Sequence, residues 1–153
     1  MGVIGTHNRS ITYSNSDTHG SKYDRPANIP TNIKPFIDII NAITGIDYSG
    51  NDSTIVIRYH KNGKQGIGWH VDDNYGIDTT HPITLLMVGG DREFHVRSSL
   101  QPREFTKIYK LSSGSLIMMA GGCHKKWQKS IPKQPSLLNS SWTLTCYKLN
   151  TER

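Results

Sequence analysis

Ile55-Val56-Ile57-Arg58-Tyr59, a glycine-containing loop, and Trp69-His70-Val71-Asp72-Asp73 are the residues whose reading decides the fold. The first block is rich in β-branched and aromatic residues, the texture of a strand. The second reads as a shorter strand running into acidic residues. Outward from them, similar blocks recur at residues 83–88, 93–96, 106–111, 115–119 and 142–149, most of them separated by clusters of Gly, Pro, Asn or Ser. Short strands at this pitch predict a mainly β fold, a sandwich or jelly roll.

Upstream the texture differs. Ile33, Phe36, Ile37, Ile40 and Ile43 recur at the spacing of an amphipathic helix. Thr31 is a candidate N-cap, Pro35 falls in the first turn and Gly45 can end the helix. A helix over residues 32–43 braced against the sandwich is the expected architecture. Residues 5–30 are polar and rich in Gly, Ser, Asn and Asp, which predicts an irregular segment. The division is therefore a flexible segment, residues 1–30, and a single β domain, residues 31–153.

A chain of 153 residues has room for one such core. No apolar run approaches the ~18 residues of a membrane span, and residues 1–10 lack the apolar centre of a signal peptide. Cys123 and Cys146 form no C-x-x-C, so a reduced, cytoplasmic setting is expected. Net charge is +6, and its placement is uneven: Lys and Arg against Asp and Glu number 4 to 5 over residues 1–53, 5 to 5 over 54–98, and 9 to 2 over 99–153. The densest group is Lys125, Lys126, Lys129 and Lys133. A one-sided basic surface suits RNA or single-stranded DNA, and a solvated lysine face that aids solubility reads the same way.

His70 and Asp72 stand two apart, so on a strand their side chains share a face and can reach one metal ion. Two histidines and a carboxylate on one side of the metal are the ligand set of non-haem iron oxygenases. An isolated H-x-D also occurs in surface loops.

The surrounding series resembles the AlkB family of Fe(II)/2-oxoglutarate oxygenases. Ile57-Arg58-Tyr59 and Trp69-His70-Val71-Asp72-Asp73 resemble the family's entry to its metal site. His81-Pro82-Ile83 follows in the right order. Gly89-Gly90-Asp91-Arg92-Glu93-Phe94-His95-Val96-Arg97 is similar to its G-x-x-R-x-F-x-x-R stretch. Ser113 to Met119 resembles the strand before the distal histidine, Trp127-Gln128-Lys129-Ser130-Ile131-Pro132-Lys133 resembles W-x-H-x-(I/V/L)-P-K, and Leu144-Thr145 matches the centre of R-x-N-L-T-F-R. The resemblance implies a double-stranded β-helix, iron, 2-oxoglutarate and oxidation of N-alkyl groups on nucleobases. It also implies a nucleotide-recognition lid near the N-terminus, carrying here Arg9, Tyr13 and Tyr23. Those tyrosines, with Trp69 and Arg97, are the candidate base contacts, and Lys125, Lys126 and Lys133 the candidate phosphate contacts. Tyrosines that merely pin a polar loop to the sandwich would look the same.

Against that pattern, the distal metal histidine falls on Lys129, and the two arginines that hold 2-oxoglutarate fall on Ser141 and Tyr147. The motif asparagine is Thr143, and the asparagine two before the family's tyrosine is Ile57. His70, Asp72 and Tyr59 keep the expected identities, Tyr59 as a co-substrate contact. A protonated lysine has no lone pair for iron, and Ser and Tyr cannot make the paired charged bonds that a guanidinium makes. His124 or His95 would have to supply the missing imidazole, and Lys148 or Lys129 a charge for the co-substrate.

The leading expectation is therefore a degenerate AlkB-like domain that serves as a nucleic-acid-binding or scaffold module. The alternatives are an active demethylase of RNA or single-stranded DNA using those substitute residues, and a protein-interaction module. The sequence names no protein partner and predicts no membrane association.

Overall fold

The computed structural model describes residues 29–72, 76–104 and 106–150, and the backbone of residues 10–14. Among the described residues, nine strands form two antiparallel sheets. In chain order the elements are β1 (Ser10–Ser14), α1 (Lys34–Thr44), β2 (Ser53–His60), β3 (Ile67–His70), β4 (Ile83–Gly89), β5 (Arg92–Ser98), β6 (Thr106–Leu111), β7 (Leu116–Met119), α2 (Cys123–Lys126), β8 (Trp127–Ile131) and β9 (Ser141–Lys148). The larger sheet runs β1-β2-β9-β4-β7 and the smaller β3-β8-β5-β6. This is the expected jelly-roll sandwich with a supporting helix.

The faces follow from alternation. On β2, Ile55 and Ile57 point outward to α1, together with Leu86, Leu144 and Cys146, and close over Ile37, Ile40 and Tyr48. Val56 on β2, with Ile83, Leu85 and Met87 on β4 and Tyr147 on β9, faces inward to Phe94, Val96 and Ile131 of the smaller sheet. Strand β4 is buried on both faces, which is why residues 83–88 read as a continuous apolar run rather than an alternating one.

Helix α1 buries Ile37 and Ile40 completely and packs Ile33 and Phe36 beside them. Each fully buried isoleucine contributes ~1.5–3 kcal/mol of transfer free energy. Two sequence expectations are corrected here. The N-cap is Ile33 rather than Thr31: residues 31–33 form a turn in which the Pro30 carbonyl accepts from Ile33 and Lys34 N–H, so the chain enters the helix without a side-chain cap. Ile43 is 65% exposed, because the buried stripe runs from Ile33 through Ile37 and Ile40 and leaves Ile43 at its edge. Gly45 ends the helix with φ 71°, as expected, its N–H bonded to Asn41 O.

Two elements were not apparent in the sequence. Within the stretch read as irregular, residues 10–14 pair with β2 as an edge strand, Tyr13 opposite Ile55. Strand β8 sits between β3 and β5 in the smaller sheet. The chain reaches it from β7 through Gly121 and Gly122, at φ +61° and +77°. Two successive left-handed residues let the chain leave one sheet and turn back into the other. Arg92 then ties β5 to its surroundings: its guanidinium, 2% exposed, donates to the carbonyls of Asn62 (3.1 Å), Gln65 (2.5 Å) and Pro132 (3.1 Å).

Burial separates the two thiols. Cys146 is 0% exposed and its pKa is pushed up to about 12 by desolvation, whereas Cys123 is half-buried. The thiolate is the reacting form. A disulfide reagent at pH 8 should therefore modify Cys123 in the native protein and Cys146 only on unfolding. Two thiols reacting at one rate would mean that the face of the larger sheet under α1 opens readily.

Candidate functional site

The inner faces of both sheets converge on Asp72. Strand β3 carries a register irregularity between Ile67 and His70, which lets Ile67 pack into the core while His70, three residues on, faces the interior. Strand β3 ends at His70, yet His70 Nε2 and Asp72 Oδ1 lie 3.8 Å apart, within reach of one ion whose bonds are ~2.0–2.2 Å long. His70 Nδ1 lies 2.8 Å from Gly68 O, which places the ring proton on Nδ1 and leaves the Nε2 lone pair toward Asp72. Burial keeps the His70 pKa below the usual histidine range, the Gly68 bond partly opposes it, and the charges of Lys129 and Arg58 depress it further.

Lys129 stands directly opposite His70 on β8. Its ammonium points inward and forms a buried ion pair with Asp72 Oδ2, each residue 5% exposed. Desolvation first, and then the Arg58 guanidinium, lower the Lys129 pKa to about 7. The touching carboxylate acts the other way and favours the charged lysine. Tyr147 Oη donates to Asp72 Oδ1 at 3.5 Å, the long limit of such a bond.

Arg58 was not singled out from the sequence as a site residue. It alternates with Ile57 and Tyr59 on β2, so it faces inward where they face α1. An arginine at an inward step of an apolar strand was the available signal. Arg58, Tyr147, Thr145, His70 and Lys129 line a residual cavity of about 20 Å³. That is room for about one water molecule.

The sequence profile of the 2OG-Fe(II) oxygenase superfamily matches residues 1–153. The chain belongs to that superfamily. Its relatives are AlkB homologues: it is 26% identical over 89 residues to mouse alpha-ketoglutarate-dependent dioxygenase alkB homolog 3, covering 54% of this chain and 31% of that protein. It is 26% identical over 118 residues to the bovine DNA oxidative demethylase ALKBH2, covering 73% of this chain and 41% of that protein. The chain thus spans less than half the length of these relatives. The solved structure of OsALKBH1 superposes with a TM-score of 0.60 at 14% identity, over 92% of this chain and 77% of that one, and shows the shared fold.

Membership in the 2OG-Fe(II) oxygenase superfamily implies iron and 2-oxoglutarate, and the residues present do not fit them. Among the described residues no group of three His, Cys, Asp or Glu side chains is placed to hold a metal ion. Opposite His70 stands an ammonium that already engages the carboxylate, with a second cation, Arg58, beside it. At an effective dielectric of 20, a dication brought to about 4 Å from one such charge is opposed by roughly 8 kcal/mol. A cavity of about 20 Å³ admits no keto diacid without rearrangement of its walls.

The remaining sequence candidates are dispersed. Tyr59 lies on the face toward α1, its ring centroid 4.4 Å from that of Trp142, away from Asp72. Ser141 is buried opposite His60, and Thr143 Oγ1 is buried without a partner among the described residues. Lys148 is committed to Asp52 at 2.7 Å. His95 lies outside the smaller sheet, 2.8 Å from Glu93 Oε2. On the same outer face the Arg97 guanidinium sits 4.1 Å from the centre of the Trp69 ring and donates to Gln128 at 2.8 Å. His124 is buried beside a different cavity, described below. Tyr13 is described only by its backbone, and Arg9, Tyr23 and Asp73 lie outside the described residues.

The four lysines of the basic group do not face a common groove. Lys129 is withdrawn into the interior. Lys125 and Lys126 are exposed on α2, before β8, whereas Lys133 is exposed beyond its other end. At ~3.3 Å per residue the intervening strand separates them by roughly 20 Å. No described helix is long and apolar enough to cross a membrane.

Proposed function

We propose that this domain is a catalytically silent member of its superfamily that binds single-stranded nucleic acid. The observation that carries the first part is the buried Lys129–Asp72 ion pair, which sets an internal cation where the resemblance places an iron ligand. The second part is supported by the exposed pair Lys125 and Lys126 next to half-exposed Trp127, and by the Trp69–Arg97 stack on the outer sheet face. A cation beside an aromatic face suits a polyanion whose bases can stack. The relatives' names, one of them a DNA oxidative demethylase, are in keeping with a nucleic-acid ligand.

The test is fluorescence anisotropy with a labelled single-stranded RNA across a salt series. Each phosphate contact adds ~0.7 to the slope of log affinity against log salt for a single strand. Replacing Lys125 and Lys126 with alanine should flatten the slope by up to ~1.4, and Lys133→Ala should act separately. No binding at low salt would remove nucleic acid and favour a protein-interaction module. Conversion of 2-oxoglutarate to succinate that disappears in His70→Ala would overturn the silent reading.

A further inference from the structure

The interior contains a second and much larger space. A cleft of about 580 Å³ opens between the two sheets where the edges of β6 and β7 stand apart, lined chiefly by Phe94, Tyr109, Leu111, Leu116, Ile117 and Met118. Protein cores pack at near-crystalline density, with few voids larger than a water molecule. A space of this size, mostly apolar, lies in the range of small-molecule sites. Tyr109, Met118 and Trp127 are exposed at its mouth.

One polar side chain in the lining has no work elsewhere. His124 is 2% exposed, and neither ring nitrogen has a hydrogen-bond partner among the described residues. It lines the cleft from α2. Lys129 also reaches the lining, but its ammonium is engaged by Asp72. A buried imidazole with both nitrogens unpaired carries a desolvation cost that a bound hydroxyl or carbonyl would remove.

We infer that the cleft between β5–β6 and β7 is a binding site for a small, neutral aromatic molecule bearing one hydroxyl, which His124 holds by hydrogen bonding. The walls select for the ring: Phe94 and Tyr109 offer aromatic faces, and Met118 offers polarizable sulfur. The imidazole selects for the polar group. Burial keeps the His124 pKa below the usual histidine range, so the ring meets its ligand uncharged, with one nitrogen donating and the other accepting. The cleft borders the Asp72 centre at Lys129 and the proposed nucleic-acid surface at Trp127, but His124 belongs to neither.

The experiment uses two probes on the full chain, 2-naphthol and naphthalene, which differ by the hydroxyl alone. Binding is followed by tryptophan fluorescence and by NMR of the Met118 and Met119 methyl groups, both of which line the cleft. 2-Naphthol should bind about tenfold more tightly than naphthalene, both should shift the two methyl signals, and 2-naphthol should slow alkylation of Cys123, which also lines the site. His124→Leu should abolish the difference while leaving naphthalene binding in place. Equal affinity of the two probes for the unaltered protein would overturn the role of His124 without recourse to a variant. Failure of both to shift the methionine methyls would overturn the site itself.

Discussion

Asp72→Ala is expected to destabilise the domain by about 3–5 kcal/mol, because it leaves the buried Lys129 ammonium without its counter-ion. For a chain of this length that is a fall in Tm of roughly 6–20 °C. Desolvation and the Arg58 guanidinium already disfavour the charged lysine, and the carboxylate opposes them. Removing both charges together has a different outcome. Asp72→Leu with Lys129→Met exchanges the pair for side chains of similar volume, and such exchanges of buried ion pairs are often neutral or stabilising by ~1–4 kcal/mol. Urea melts of the single and double variants give the coupling. If Asp72→Ala costs less than about 1 kcal/mol, water reaches the pair and it is not a buried, desolvated ion pair.

The second large effect is a gain. Lys129→His removes a cation from the centre and sets an imidazole directly across from His70, on the register that pairs those two positions. With Asp72 freed from its ion pair, two histidines and a carboxylate then converge, the set suited to non-haem iron. Titration with Mn(II) or Fe(II) under anaerobic conditions should show affinity raised by about a hundredfold or more, since the roughly 8 kcal/mol that opposes a dication beside that ammonium is relieved. The gain should vanish on adding His70→Ala. Turnover of 2-oxoglutarate should remain absent, because Ser141 and Tyr147 still stand where the arginines are expected and the residual cavity is about 20 Å³. Tight binding by the unaltered protein, lost in His70→Ala, would show that another residue completes the site.

The strand blocks and the helix stripe were legible because alternation and three-and-four spacing report burial directly. Strand β8 was recognised as a motif but not as a strand, since Trp-Gln-Lys-Ser-Ile lacks a clear two-residue period and its inward lysine reads as a surface residue. The sequence set Lys129 both at the position of the distal metal histidine and in the basic group, and the second of these readings fails because the side chain is buried. A lysine is assumed to face solvent unless its partner is known, and the partner here lies 57 positions away. Tyr59 shows the converse limit. Its identity matched the resemblance, but on a strand a one-residue offset decides the face, and the inward side chain is its neighbour Arg58. His124 is buried by the turn at Gly121 and Gly122, and no local pattern announces that turn's direction.

The placement of β9 has a consequence for biosynthesis. It is the last of the described strands, yet it lies between β2 and β4, pairing with residues 53–60 on one side and 84–89 on the other. Until it leaves the ribosome, those two strands have no common neighbour, and the backbone groups on their facing edges stand unpaired. Translation at ~5–20 residues per second therefore holds two apolar strand edges open for seconds after both have emerged. The larger sheet cannot close until β9 has been made, and a ribosome stalled before residue 141 would present an aggregation-prone nascent chain that chaperones must cover.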